Sequence, residues 1–143
     1  MKITDITKAV RKVLPLGYCG AVIVAAGNAS RMGGIDKVMA PLDGEPMICR
    51  TVRAFQNCDV IREIVVVTRQ DLIVPIMSLC ADLPKVKAVV AGGSSRPESV
   101  SAGLNALSEK IKLAAIHDGA RPLITWQVID RTVRAANSYG AAA

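Results

Sequence analysis

Aromatic side chains are scarce: one tryptophan, two tyrosines and one phenylalanine make up 3% of the 143 residues. A protein that stacks bases needs aromatic platforms, and one that tracks a duplex needs its basic residues drawn into a stripe. Here the lysines and arginines give a net charge of +6 but are scattered along the chain. No nucleic-acid partner is expected, and a small phosphorylated metabolite suits the charge better. The four cysteines, Cys19, Cys49, Cys58 and Cys80, form no CxxC and have no histidine pair nearby. Neither a zinc site nor a redox motif is indicated, and buried free thiols are the expectation. No apolar run approaches the ~20 residues a bilayer requires, so no membrane association is expected. The opening segment MKITDITKAVRKVLPLGYCG carries charges where a signal peptide needs an apolar core. Val10, Val13 and Leu14 read as one face of a short helix stopped by Pro15, and residues 1–18 as a cytoplasmic N-terminal extension.

What is abundant is aliphatic. Hydrophobic residues reach 51% against 21% charged, which excludes intrinsic disorder and supports one compact domain. Four apolar, β-branched runs, GAVIVAA (20–26), REIVVVT (62–68), VKAVVA (86–91) and LAAIH (113–117), read as strands covered on both faces, the pattern of parallel pairing. Helices are expected over 46–57, with proline at the first position, over 71–81, over 97–107, and over 126–138 behind a Thr125 cap. The order β-α-β-α-β-α-β-α predicts an α/β fold, a Rossmann-like, doubly wound, mostly parallel sheet in a three-layer α-β-α arrangement with right-handed crossovers. After the last helix, Gly140 is a helix stop, and Ala141 to Ala143 read as the start of another strand in a truncated protein.

Ligands of such sheets gather at the carboxyl ends of the strands, where three unusual loops fall. The first, GNASRMGGIDK (27–37), lacks the glycine and small residue that a dinucleotide fingerprint needs at Ala29 and Met32, and it lacks the GK[ST] of a P-loop. Its small residues, Ala25, Ala26, Gly27, Ala29 and Ser30, let backbone N–H groups approach an anion, with Arg31 and Lys37 supplying charge. These are the parts of a polyphosphate cradle, although an ordinary solvated loop has the same composition. The second loop, Gly92-Gly93-Ser94-Ser95-Arg96, with Ser99 beyond it, combines permissive backbone with hydroxyls suited to a base or ribose edge; a plain strand-to-helix turn is the alternative. In the third, Asp118 suits magnesium (Mg²⁺), which takes hard oxygen ligands together with substrate phosphates, or else caps a turn. Arg121 suits a second phosphate or a surface ion pair. His117, the one histidine, is expected to be packed rather than to act as a base.

Taken in order, AAGNASRMGGIDK, GGSSRPESVSAGL and HDGARPLI resemble the 2-C-methyl-D-erythritol 4-phosphate cytidylyltransferases, from about Gly20 to the C-terminus. The resemblance implies a Mg²⁺-dependent, usually homodimeric enzyme that joins CTP to a sugar-alcohol phosphate and releases pyrophosphate. It implies a nucleotidyltransferase domain over 19–143 lacking its C-terminal part, with nucleotide binding and little or no turnover if these residues are all that exists. By resemblance Ala25, Ala26 and Gly27 shape the nucleotide pocket, and Arg31 and Lys37 stabilise the α-phosphate under attack. Gly93, Ser94 and Ser99 align with cytosine and ribose contacts, and Arg96 with a residue near them. Asp118 aligns with the metal-linked, substrate-binding aspartate and Arg121 with the substrate-facing arginine. The chain departs from the family pattern with Ala29 for a second loop glycine, Asp36-Lys37-Val38 for Pro-Lys-Gln, and Ser94 where an aspartate is frequent. Ribitol-phosphate cytidylyltransferases carry nearly the same motifs, and a non-catalytic nucleotide-binding domain is the reading of a different class.

Overall fold

The computed structural model describes residues 18–27 and 36–143. The expected N-terminal helix face and Arg31 lie outside the described residues. Four parallel strands, β1 (Cys19–Ala25), β4 (Ile61–Thr68), β5 (Val86–Ala91) and β6 (Leu113–Asp118), form one sheet in the order β5-β4-β1-β6. The two strands with the longest Val/Ile runs, β1 and β4, are the two interior ones, and apart from Val24, Arg62 and Glu63 their residues are buried. Continuous apolar sequence follows from burial on both faces.

Alternation then divides the core in two. Ala21, Ile23 and Ala25 of β1, with Ile64 and Val66 of β4, point to one face. There they meet Ile48, Val52 and Phe55 of α1 (Met47–Gln56), Ile76 of α2 (Ile73–Leu79), and Ile129 and Val133 of α4 (Trp126–Tyr139). The spacing of these residues at three, four and seven places puts each set on one helical stripe, and burying each such side chain stabilises by roughly 1.5–3 kcal/mol. Val22, Val65 and Val67 point to the opposite face, under Ala106 and Leu107 of α3 (Arg96–Ala106) and the turn that follows it. The result is three layers, as the strand-helix alternation predicts. The four cysteines are free and buried, and burial pushes the Cys19 and Cys80 thiols up to about 11.

Three local expectations are corrected. Pro46 precedes its helix rather than starting it: it ends β3 (Glu45–Pro46), which pairs antiparallel with β2 (Pro41–Leu42). Asp43 and Gly44 both take positive φ, 54° and 86°, in the turn between them, the geometry a two-residue hairpin of matching twist demands. The helix expected over 71–81 is shorter, a 3₁₀ turn over Gln70–Leu72 followed by α2. Ala141 to Ala143 form no strand after Gly140, which ends α4 at φ 88° with its N–H on the Ala136 carbonyl.

Helix α3 carries the chain from β5 to β6, across the face of β4 and β1, and can lie close because residue 103 is glycine. A Cβ there would stand 2.8 Å from Val67 Cγ2 and nearer still to Val22 Cγ1. Gly103→Ala should therefore destabilise the chain despite a helix-propensity gain of about 1 kcal/mol, because overpacking costs roughly 1–3 kcal/mol. A denaturant midpoint equal to or above that of the unaltered chain would contradict this close approach.

Candidate functional site

The strand order reverses beside β1: from β1 the sheet grows through β4 to β5, and the chain then crosses back to lay β6 on the other side. At this switch point the crossover changes faces, α3 lying opposite α1, α2 and α4, and ligands of such sheets gather outside the carboxyl ends of the strands beside it. Those ends are level, since Ala25 pairs with Thr68, Thr68 with Ala91, and Val24 with Asp118. A hollow of about 640 Å³ opens there, within the range that holds small ligands.

The floor is the end of β1, Ala25 to Gly27. Backbone bonds fasten the adjoining loops to this rim: Gly119 N donates to Val24 O at 2.8 Å, and Gly92 N to Thr68 O at 2.8 Å. Lys37 reaches the hollow from a turn in which Asp36 O accepts from the N–H groups of Met39 and Ala40.

The loop after β5 is braced from within. The Ser99 hydroxyl, buried, donates to Ser95 O at 3.0 Å and accepts from Gly93 N at 3.2 Å. Glu98 Oε2 accepts from both the N–H and the hydroxyl of Ser94, each at 2.7 Å, while Glu98 N donates to the Ser95 hydroxyl at the start of α3. The Ser94 bonds hold the Glu98 carboxyl below the ordinary carboxylate range. Ser94 and Ser99 thus spend hydroxyl bonds on the shape of the loop, where composition alone suggests free donors for a ligand.

Across the hollow, Asp118 ends β6 with each carboxylate oxygen facing a guanidinium. Oδ1 is 3.1 Å from Arg96 Nη2, and Oδ2 is 3.2 Å from Arg121 Nε. Both arginines are largely exposed, so these pairs contribute little stability and are free to exchange for another anion. No group of three or more His, Cys, Asp or Glu side chains that could hold a metal gathers among the described residues. A single hard carboxylate on the wall still fits Mg²⁺ if phosphate oxygens and water complete the shell.

Of the site residues read from sequence, Ala25, Ala26, Gly27, Lys37, Gly93, Ser94, Arg96, Ser99, Asp118 and Arg121 all line this one hollow; Arg31 lies outside the described residues. Asp36 also lines it, carrying an ion pair that no local sequence signal shows because its partner, Arg69, belongs to another loop. His117 does not line it. Its ring packs against Phe55 with centroids 5.3 Å apart, and its Nδ1 is buried without a hydrogen-bond partner among the described residues.

Burial lowers the His117 pKa below the ordinary 6.5, with Asp118 opposing and Arg121 reinforcing the shift. The folded state therefore favours the neutral ring, and this contribution is present above the unfolded value and is lost as pH falls through 6.5 towards the folded pKa. Unfolding midpoints measured between pH 7.5 and about 5 should fall more steeply for the native chain than for His117→Gln. Parallel pH curves would show that the imidazole titrates alike in both states.

Comparison with known proteins agrees with this geometry. The sequence profile of the family described as 2-C-methyl-D-erythritol 4-phosphate cytidylyltransferase matches residues 19–143. A relative of that name from Symbiobacterium thermophilum is 40% identical over 121 residues, covering 84% of this chain and 50% of the relative. Another from Dehalococcoides mccartyi is 41% identical over 125 residues, covering 86% and 55%. The chain thus spans about half the length of the curated relatives it matches. Among solved structures, a 4-diphosphocytidyl-2C-methyl-D-erythritol synthase from Anaerococcus prevotii superposes with a TM-score of 0.74 at 25% identity, over 85% of this chain and 51% of that one. A CMP:2-keto-3-deoxy-manno-octonic acid synthetase complexed with CTP shares the fold, with a TM-score of 0.70 at 15% identity, over 87% of this chain and 49% of that one.

Proposed function

The chain belongs to the 2-C-methyl-D-erythritol 4-phosphate cytidylyltransferase family, and we propose that its hollow binds CTP for transfer of the cytidylyl group to 2-C-methyl-D-erythritol 4-phosphate, an isoprenoid precursor of the non-mevalonate pathway. The observation that carries the proposal is convergence: residues from three separated loops line one crevice at the switch point of the sheet.

In this reading the small side chains of Ala25, Ala26 and Gly27 let the triphosphate lie close to the backbone, and Lys37 faces the α-phosphate, the charge role the resemblance also gives Arg31. The braced Gly93-Ser94 loop, with Ser99 and Arg96, holds the cytosine and ribose side. Arg121 exchanges Asp118 for the acceptor's phosphate, which frees Oδ2 of Asp118, the carboxylate that would hold Mg²⁺. A phosphate oxygen of the acceptor bonds to the α-phosphorus, the bond from that phosphorus to the bridging oxygen breaks, and pyrophosphate leaves. A phosphate monoester has its second pKa near 6 and is mostly dianionic at neutral pH, so no side-chain base is needed, consistent with His117 standing off the hollow. The residues' work is alignment and neutralisation of charge as it moves to the leaving oxygen. Mg²⁺, held by Asp118 and the substrate phosphates, would add charge neutralisation when bound. A homodimer in the cytoplasm, at the relatives' full length, belongs to the same reading.

Titration calorimetry of the chain with CTP, UTP, ATP and GTP should show CTP bound most tightly, and in a protein of the relatives' full length Lys37→Ala should lower pyrophosphate release by about a hundredfold without moving the unfolding midpoint. Binding of none of the four nucleotides would end this reading. Ribitol 5-phosphate beside methylerythritol phosphate in the turnover assay identifies the acceptor. Separately, Asp118→Asn should shift the magnesium dependence of CTP binding to higher concentrations; a superimposable magnesium titration would leave Asp118 only its ion pairs.

A further inference from the structure

Lys37 is exposed and carried by a short turn between β1 and β2, yet the segment it belongs to is tethered from below. Asp36 Oδ1 accepts the N–H of Val38 at 3.3 Å, and its other oxygen, Oδ2, lies 2.8 Å from Arg69 Nη1. That Oδ2 is out of solvent contact and has no hydrogen bond among the described residues, which makes the guanidinium its charge partner. Arg69 follows directly on the end of β4 and does not itself line the hollow. It is held in turn by Asp71, through a fork of Nε to Oδ1 at 3.1 Å and Nη2 to Oδ2 at 2.9 Å. Asp71 and Asp36 together raise the Arg69 pKa, and Arg69 lowers that of Asp71. The Asp36–Arg69 pair is only about a quarter exposed on either side, 21% and 26%, so solvent and salt screen it less than a surface pair.

We propose that Arg69 is a positioning residue for Lys37: through its ion pair with Asp36 it fixes the turn that presents the lysine to the hollow and cancels the carboxylate that stands beside it. Two physical effects act together. Without the guanidinium, nothing in the described structure ties the Asp36 carboxylate to the sheet; Val38 O and Ala40 O still accept from Ile48 N and Met47 N, so the loosening falls on the Asp36 end of the turn, next to Lys37. The bare carboxylate, itself on the wall of the hollow, would also compete with an incoming anion for the Lys37 ammonium and repel that anion. A lysine is a compact charge on a flexible stem, so the backbone that carries it decides where the charge sits. The consequence for ligand binding rests on the anion-binding role given to Lys37 above, while the clamp itself does not.

The test separates the two. In Arg69→Met, amide exchange at Val38, Met39 and Ala40 should quicken while the unfolding midpoint is held, and affinity for CTP and for inorganic tripolyphosphate should fall by about tenfold, the scale of coupling between charged groups in contact. Arg69→Lys, which keeps the charge without the fork, should lie between, and it carries the comparison if Arg69→Met lowers the midpoint. In a Lys37→Ala background, Arg69→Met should cause no further loss of tripolyphosphate affinity. Unchanged exchange at these three amides, or an undiminished loss in that background, would overturn the proposal. If the unaltered chain binds neither probe, the nucleotide reading fails and the exchange comparison still decides the clamp.

Discussion

Everything at the rim depends on the placement of β1 between β4 and β6, paired in parallel with both and covered on both faces. Each residue of β1 from Gly20 to Val24 has a register partner on either side, and Ala21, Val22 and Ile23 are entirely out of solvent. Such a strand cannot slip by one residue without exchanging the two halves of the core, so the end of the strand is fixed to within a residue. The first loop leaves from that end. Its neighbours are fixed by the same ladder, which is why Ala25, Thr68, Ala91 and Asp118 stand level and why loops far apart in sequence can share one hollow.

Charge at the rim follows a common rule: the carboxylates hold the cations and the loops in place. Asp118 stands between Arg96 and Arg121, Asp36 leans on Arg69, and Glu98 fastens Ser94. None of these contacts supplies much folding energy where solvent reaches it. Their effect is on arrangement. Cations gathered on one rim repel one another, and paired carboxylates keep those side chains ordered. The buried Ser99 hydroxyl and the tight approach of Gly103 to β1 and β4 serve the same end by keeping the start of α3 close to the sheet.

Much of this was legible in the chain. The apolar runs marked all four strands but read each as covered on both faces, which holds for β1 and β4 and not for the outer strands β5 and β6, whose residues all keep some exposure; the helices announced themselves through apolar spacing and through caps such as Thr125. The hairpin at Asp43-Gly44 was also readable, since that dipeptide favours the left-handed backbone the turn needs, but proline on either side masked it as a loop and helix start. The Ser94 and Ser99 hydroxyls were visible as residues but not as struts, because whether a hydroxyl faces a ligand or a carbonyl depends on atoms brought in by folding.

The sequence by itself determined the elements, their order and the chemistry carried by each loop, because these rest on neighbours a few residues apart. Only the tertiary structure decided the order β5-β4-β1-β6, and with it which loop faces which. The pairing of Asp118 with Arg96 and of Asp36 with Arg69 was decided there too, since those charges meet across loops that no local preference relates. The physical reason is that strand pairing and ion pairing act through space, and the chain reports distance along its length alone.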